Sequence, residues 1–252
     1  MSGVASRNPG HSSADPIPDY WLVIPAAGSG ARFGGAVPKQ HLALAGTTVL
    51  EVALRPFLAD AHCRGVVLAL APADPQRAAL ATRLPARVQW VDGGVERADT
   101  VLAALAALPA EAGAQDWVLV HDAARPCLSS RDLRQLLCSG AQSAAGALLA
   151  APLADTLKQD DGSALVQATL PRERLWRALT PQMFRRGPLT AALQAARAAG
   201  RLPTDEAQAV EWQGGRPLLV LAHDGNPKIT TAADLALAAA LLAARDATND
   251  GN

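Results

Sequence analysis

Two cations and a string of glycines crowd the stretch Trp21 to Gln40, WLVIPAAGSGARFGGAVPKQ, and their types and spacing suit a ligand with several negative charges. Gly28, Gly30, Gly34 and Gly35 let the backbone turn with φ > 0 and bring its N–H groups close to an anion, while Arg32 and Lys39 supply positive charge. Two better-known glycine loops do not fit. A dinucleotide fingerprint needs a glycine where Phe33 stands and a ribose-binding acid about twenty residues on, and Glu51 comes too early, inside a helical pattern. A P-loop needs Gly-Lys followed by Ser or Thr, whereas Lys39 lies between Pro38 and Gln40. The plain alternative is a surface turn with solvated cations. Against it stands the apolar run Leu22-Val23-Ile24, which leads into the loop as a buried strand would.

A carboxylate occupies a comparable position. Trp117-Val118-Leu119-Val120 reads as a strand and runs straight into His121-Asp122-Ala123-Ala124-Arg125-Pro126. In open α/β sheets ligands collect beyond the carboxyl ends of the strands, and Asp122 beside a bound phosphate is a natural Mg²⁺ ligand. Asp122 could instead cap the next turn or pair with Arg125. A second glycine turn, Asp92-Gly93-Gly94, follows another short strand and precedes Glu96-Arg97, so three chemistry-bearing turns sit at strand ends.

The elements that must position these turns can be read in order. Thr47 or Thr48 caps a helix over Val49–Leu58, Gly65–Leu70 is a buried strand, and Pro75 opens a helix to Arg83. Val88–Val91 is a strand, and Val101, Leu102, Leu105 and Leu108 mark the next helix. Repeated βα units predict a doubly wound, mostly parallel sheet with helices on both faces. From Ala147 the rhythm changes: a strand to Ala151, then Pro152 to Lys158, a turn at Gln159 to Gly162, and a return over Leu165–Thr169. Asp161-Gly162 between apolar stretches signals a hairpin. Such an insert has no core beneath it, so it either packs on a second copy of the chain or folds back over its own sheet.

Pro171 to Gln182 is dense in cations and ends in Thr-Pro, and a helix follows over Pro188–Ala199. Thr204 reads as the N-cap of a short helix, Leu218–Leu221 is the last strand, and Thr231 with Asp234 starts a terminal helix over Ala232–Ala244. The expected organisation is a disordered lead over 1–19 and one domain over 20–246, with an arm at about 151–176.

The chain has 252 residues, half of them hydrophobic, which is enough for a sizeable core. Its net charge of zero offers no basic field for nucleic acid or an anionic membrane, so any phosphate chemistry rests on local clusters. Cys63, Cys127 and Cys138 are too scattered for a disulfide framework or a zinc site, which fits a reducing cytoplasm. No apolar run reaches the length of a membrane span, and the first residues lack the apolar core of a signal peptide.

PAAGSGARFGGAVPKQ, DGGVERADTV, VHDAARPC, PLADTLK, LWRALTPQMF, PTDEAQAVE and NPKITTAADLALA follow one another in an order and spacing that resembles the 2-C-methyl-D-erythritol 4-phosphate cytidylyltransferases. The resemblance implies a Rossmann-like nucleotidyltransferase fold and transfer of a cytidylyl group from CTP to a methylerythritol phosphate, with Mg²⁺. It assigns the triphosphate to Gly28, Ser29, Gly30, Arg32 and Lys39, with Ala26 and Ala27 beside the base. Gly94, Arg97 and Thr100 would read cytosine, Asp122 would hold Mg²⁺, and Lys228 would be a second catalytic lysine across the site from Lys39. Arg172, arriving from the partner subunit of a homodimer, and Thr204 would hold the acceptor phosphate, with Thr180 also on the substrate side.

The resemblance leaves a cytidylyltransferase for another polyol phosphate, such as ribitol 5-phosphate, as an alternative, and more remotely a non-catalytic nucleotide-binding protein. Two positions depart from the usual pattern. Pro227 stands before Lys228 where isoleucine is common, removing a backbone donor, and Thr100 replaces serine while keeping the hydroxyl.

Overall fold

The structure is a computed structural model describing residues 17–28 and 37–249. The first apolar run forms β1 (Tyr20–Ala26), in which every residue except Pro25 is buried. A strand buried on both faces must lie inside a sheet covered by helices on either side. Leu22 and Ile24 join one core with Leu50, Leu54, Phe57 and Leu136; Trp21 and Val23 join the opposite core with Val101, Leu105, Leu189 and Leu193.

After a 3-10 turn (Lys39–His41) and a two-rung ladder of β2 (Ala43–Leu44) with β3 (Thr47–Thr48) come α1 (Val49–Leu58), β4 (Cys63–Leu70) and α2 (Arg77–Arg83). β5 (Val88–Asp92), α3 (Arg97–Ala106), β6 (Trp117–Val120), α4 (Ser130–Gly140) and β7 (Ala147–Pro152) follow. The hairpin is β8 (Leu157–Asp160) with β9 (Val166–Leu170), and the chain then returns as β10 (Trp176–Arg185) into α5 (Arg186–Ala198). α6 (Glu206–Trp212), β11 (Leu218–Leu221) and α7 (Ala232–Asn249) complete it.

The main sheet has the order β11-β7-β10-β6-β1-β4-β5. Only β10 runs against its neighbours, pairing antiparallel with both β6 and β7, so all the other strands present their carboxyl ends at one edge. The mixed sheet with helices on both faces is the expected class. No helix among the described residues is long and apolar enough to cross a membrane.

Thr48 is the cap of α1, in a reciprocal box with Glu51. α2 begins at Arg77 rather than Pro75, because Asp74 turns the chain there and its carboxylate accepts the Gln76 N–H at 2.9 Å. Besides the short 3-10 turn, β2 and β3, two longer elements lie outside the sequence-based expectation. The later part of the cation-rich run, from Trp176 on, belongs to the strand β10, and α4 is capped by Ser129, whose hydroxyl accepts the Asp132 N–H.

The hairpin of β8 and β9 stands apart from the sheet. Gly162 turns it at φ +89°, and Leu165 and Val166 at its tip are 67% and 66% exposed. Among the described residues no hydrophobic core cluster includes a residue of this hairpin, as its sequence leads one to expect.

Candidate active site

The carboxyl edge of the sheet holds a cavity of about 500 Å³. Its walls come from the end of β1 and the residues after it (Ala26, Ala27, Gly28), the 3-10 turn (Lys39, Gln40), the turn after β5 (Gly94) with the first turn of α3 (Arg97, Thr100), Asp122 after β6, and Lys228 before α7. Nine residues expected to serve a ligand from the sequence, namely Ala26, Ala27, Gly28, Lys39, Gly94, Arg97, Thr100, Asp122 and Lys228, therefore share one space. Ser29, Gly30 and Arg32 lie outside the described residues.

The glycine turn is shaped by close approach. A Cβ on Gly93 would stand 2.3 Å from the Ala27 Cβ, and one on Gly94 2.4 Å from the Asp99 Cβ, so neither position accepts a side chain without movement. Thr100 is buried beneath the turn; its Oγ1 accepts the Gly94 N–H at 3.1 Å and donates to the Glu96 carbonyl at 3.1 Å. Its hydroxyl thus holds the turn's backbone in place. Gln40 does similar service opposite, donating from Nε2 to the Ala26 carbonyl at 3.0 Å.

Asp122 is the electrostatic centre. Lys228 Nζ lies 2.8 Å from its carboxylate, an Arg97 nitrogen 3.2 Å and Arg125 Nε 3.5 Å. Burial alone would push the carboxyl up, but Arg97 and Lys228 outweigh it and hold Asp122 well below the usual carboxylate range. Arg97 also forms a two-point pair with the fully buried Glu206 at the start of α6, at 2.5 and 3.0 Å. Burial opposes its charge, yet Glu206 and Asp122 keep Arg97 protonated. Around Asp122 and Glu206 stand Arg97, Arg125 and Lys228, more cations than carboxylates, which favours an anionic ligand.

The backbone under Asp122 is pinned by a buried relay. Thr180 Oγ1 accepts the Asp122 N–H at 3.1 Å and donates to His121 Nδ1 at 3.0 Å, while His121 Nε2 donates to the Arg125 carbonyl at 3.0 Å. A carbonyl can only accept, so the ring proton sits on Nε2 and Nδ1 receives the threonine proton. Burial lowers the His121 pKa to about 4, so the ring is neutral near pH 7. Thr180 is itself buried and its hydroxyl is engaged on both sides; the structure places it behind Asp122 rather than among the cavity-lining residues.

The Lys228 loop is tied to the Asp122 loop by Asn226, which is buried. Its Oδ1 accepts the Cys127 N–H, its Nδ2 donates to the Thr180 carbonyl, and its own carbonyl accepts from Arg125. Ile229 N–H then donates to the Ala124 carbonyl at 2.8 Å. The loop is anchored on both sides of Pro227 by groups that ask no donation from residue 227.

Thr204 and Arg172 stand away from the cavity lining. Thr204 is exposed, and the N-cap of α6 is Asp205, which accepts the Gln208 N–H and also the Gln182 amide; Thr204 contributes its backbone N–H to Gln208 Oε1. The N-cap expectation for Thr204 is corrected by one residue, because Asp205 is the extended residue directly before the helix and its carboxylate accepts the Gln208 N–H at 2.9 Å. Arg172 is exposed at the base of the arm, donating to the Ala154 carbonyl. Asn226, Glu206, Gln182 and Gln40 carry the site's framework without any mark of that role in the sequence, while Arg125 pairs with Asp122 as the alternative reading of that aspartate had it.

No cluster of three or more His, Cys, Asp or Glu side chains suited to a metal occurs among the described residues. Asp122, a carboxylate on the cavity wall, fits Mg²⁺, which commonly takes one or two carboxylates together with substrate phosphate oxygens.

The profile of the 2-C-methyl-D-erythritol 4-phosphate cytidylyltransferase family matches residues 20–244. A protein of that name from Halorhodospira halophila is 51% identical over 235 residues, covering 92% of this chain and 97% of that protein. The solved structure of a 4-diphosphocytidyl-2C-methyl-D-erythritol synthase superposes with a TM-score of 0.78 at 37% identity, covering 89% of this chain and 99% of the other. The Francisella tularensis 2-C-methyl-D-erythritol 4-phosphate cytidylyltransferase gives 0.74 at 32%, covering 88% and 99%.

Proposed function

The chain belongs to the 2-C-methyl-D-erythritol 4-phosphate cytidylyltransferase family, and from that membership we propose how its residues divide the reaction. The enzyme transfers the cytidylyl group of CTP to 2-C-methyl-D-erythritol 4-phosphate, giving 4-diphosphocytidyl-2-C-methyl-D-erythritol and pyrophosphate for isoprenoid precursor synthesis. The observation that carries the assignment of roles is the convergence of Lys39, Arg97, Asp122 and Lys228 on one cavity at the carboxyl edge of the sheet.

A phosphate oxygen of the acceptor attacks the α-phosphorus of CTP; the new O–P bond forms as the bond to the β-phosphate oxygen breaks, and pyrophosphate leaves. The acceptor phosphate is already ionised, so no base is needed. The work is positioning two anions and stabilising charge that grows on the α-phosphoryl oxygens and the leaving group. Lys39 and Lys228 supply that charge, Arg32 and the backbone of Gly28, Ser29 and Gly30 cradle the triphosphate, and the Gly94 turn, held by Thr100, receives the base between Ala26, Ala27 and Arg97. Asp122 holds Mg²⁺, which neutralises phosphate charge when bound.

Acceptor recognition falls to Thr204 and to Arg172, a two-point clamp for phosphate. Arg172 works in the site of a partner subunit. Support comes from the arm, whose exposed Leu165, Val166, Leu170, Leu175 and Trp176 are the apolar surface that a second copy would cover. All three cysteines are free, in keeping with work in the cytoplasm.

The test is subunit complementation. Lys39→Ala and Arg172→Ala should each lower pyrophosphate release by about 10²–10³-fold with the fold intact. Mixed in equal amounts, they should regain activity, since about a quarter of all sites in a randomly assorted dimer would then be whole. No recovery in proven mixed dimers would make each site self-contained, and near-normal Lys39→Ala would remove that lysine from the chemistry.

A further inference from the structure

Behind the cavity, two residues with no assigned part in the reaction form a buried cross-link. His41 Nε2 lies 2.8 Å from the Asp74 carboxylate, with the two side chains 1% and 2% exposed. Neither lines the cavity. His41 belongs to the 3-10 turn that carries Lys39, a turn closed by the His41 N–H on the Pro38 carbonyl at 2.9 Å and the Leu42 N–H on the Lys39 carbonyl at 3.3 Å. In so short a turn, moving residue 41 moves residue 39.

Asp74 is a fixed post. It follows β4, its backbone N–H donates to the Ala71 carbonyl at 3.0 Å, and its other carboxylate oxygen accepts the Gln76 N–H at 2.9 Å. Gln40, between Lys39 and His41, is tied to the end of β1 through Ala26. The turn is thus held at two neighbouring residues to two different strand ends, and the lysine between Pro38 and Gln40 is the group so positioned. His41 Nδ1 is buried with no hydrogen-bond partner among the described residues. A buried polar ring left half satisfied is a cost that packing alone would avoid with an apolar residue, and such costs concentrate where geometry serves a site.

We propose that the His41–Asp74 pair is a positioning strut that sets Lys39 against the phosphates of the bound nucleotide; the proposal rests on Lys39 acting in the reaction as described above. His41 and Asp74 touch no reacting atom, and their effect passes through the turn. A misplacement of about 1 Å in a charge-stabilising group can cost up to about a hundred-fold in rate.

A double-mutant cycle on the full-length enzyme, read as kcat and KM for pyrophosphate release, tests this. His41→Leu, which fills the space but cannot bond Asp74, should lower kcat roughly ten- to a hundred-fold. His41→Gln, whose amide can donate to Asp74, should recover most of it. In the Lys39→Ala background His41→Leu should lower kcat less than about two-fold further, because the positioned group is already gone. Asp74→Ala, taken through the same cycle, gives an independent reading if His41→Leu does not fold, and the same non-additivity is expected.

Equal losses in both backgrounds would mean a general structural effect and would overturn the proposal alone, as would normal kcat in His41→Leu. Near-normal activity of Lys39→Ala itself would overturn the catalytic role of the lysine and the strut with it.

Discussion

Replacing Thr180 by valine separates a buried relay from a substrate contact. Valine keeps the shape of the side chain but strips both hydrogen bonds of the hydroxyl, leaving the Asp122 N–H and His121 Nδ1 without the partners they have at 3.1 and 3.0 Å. Each buried group so orphaned costs about 1–3 kcal/mol, or roughly 2–6 kcal/mol for the two. For a chain of this size 1 kcal/mol is worth about 2–4 °C, so Thr180→Val should lower the melting temperature by at least ~4 °C. Thr180→Ser retains the hydroxyl and gives up one methyl, a loss of about 1 kcal/mol. Differential scanning calorimetry of the three proteins, alongside kcat and acceptor KM, reads the outcome. The valine variant should lose stability and kcat together, since the backbone carrying Asp122 is loosened. An unchanged melting temperature with a raised acceptor KM alone would refute the relay and return the hydroxyl to the substrate.

Stability should also depend on pH through His121. Its folded value is depressed to about 4 by burial, against an ordinary 6.5, so the unfolded chain takes up the proton first. The histidine's contribution is therefore complete above pH 6.5 and shrinks as pH falls toward 4, by on the order of 3 kcal/mol. Asp122, also depressed, adds a further loss below the ordinary carboxylate range; a chemical denaturation series from pH 7.5 to 4 would show a flat profile if the ring were exposed. At the start of α6, Asp205→Ala should cost about 1–2 kcal/mol for the lost cap, whereas Thr204→Ala should leave stability within about 0.5 kcal/mol and raise the acceptor KM. The reverse pattern in thermal melts and kinetics would give the cap back to Thr204.

The parts of the fold legible in the sequence were those specified locally. The runs of β1, β4 and β6 are apolar on both faces because helices cover both faces, and Thr48 with Glu51 is a short-range cap that needs no tertiary partner. β10 hid because its first three residues, Trp176 to Ala178, are exposed and include Arg177, while Pro181 sits in its buried stretch, where a central strand rarely holds proline. α4 had a usable signal in Ser129 and Asp132 ahead of Leu133, Leu136 and Leu137.

At the site, glycines, lysines and the strand-end aspartate announced themselves through type and position. The residues that hold them did not, since their partners are distant along the chain. Arg97 and Glu206 are 109 residues apart, and Asn226 reaches Cys127 across 99. A lone Asn, Gln or Glu in a sequence carries no mark of such a partner. The hairpin of β8 and β9 was legible for a different reason: Asp161-Gly162 between two apolar stretches is a local turn signal that needs no distant partner.

The central claim is the identity of the acceptor that meets CTP at this cavity. Pyrophosphate release measured with CTP and Mg²⁺, and with 2-C-methyl-D-erythritol 4-phosphate or ribitol 5-phosphate added side by side, tests it most directly. Rapid release with the methylerythritol phosphate, little with ribitol 5-phosphate and none without an acceptor is the predicted result. A faster rate with ribitol 5-phosphate would contradict it.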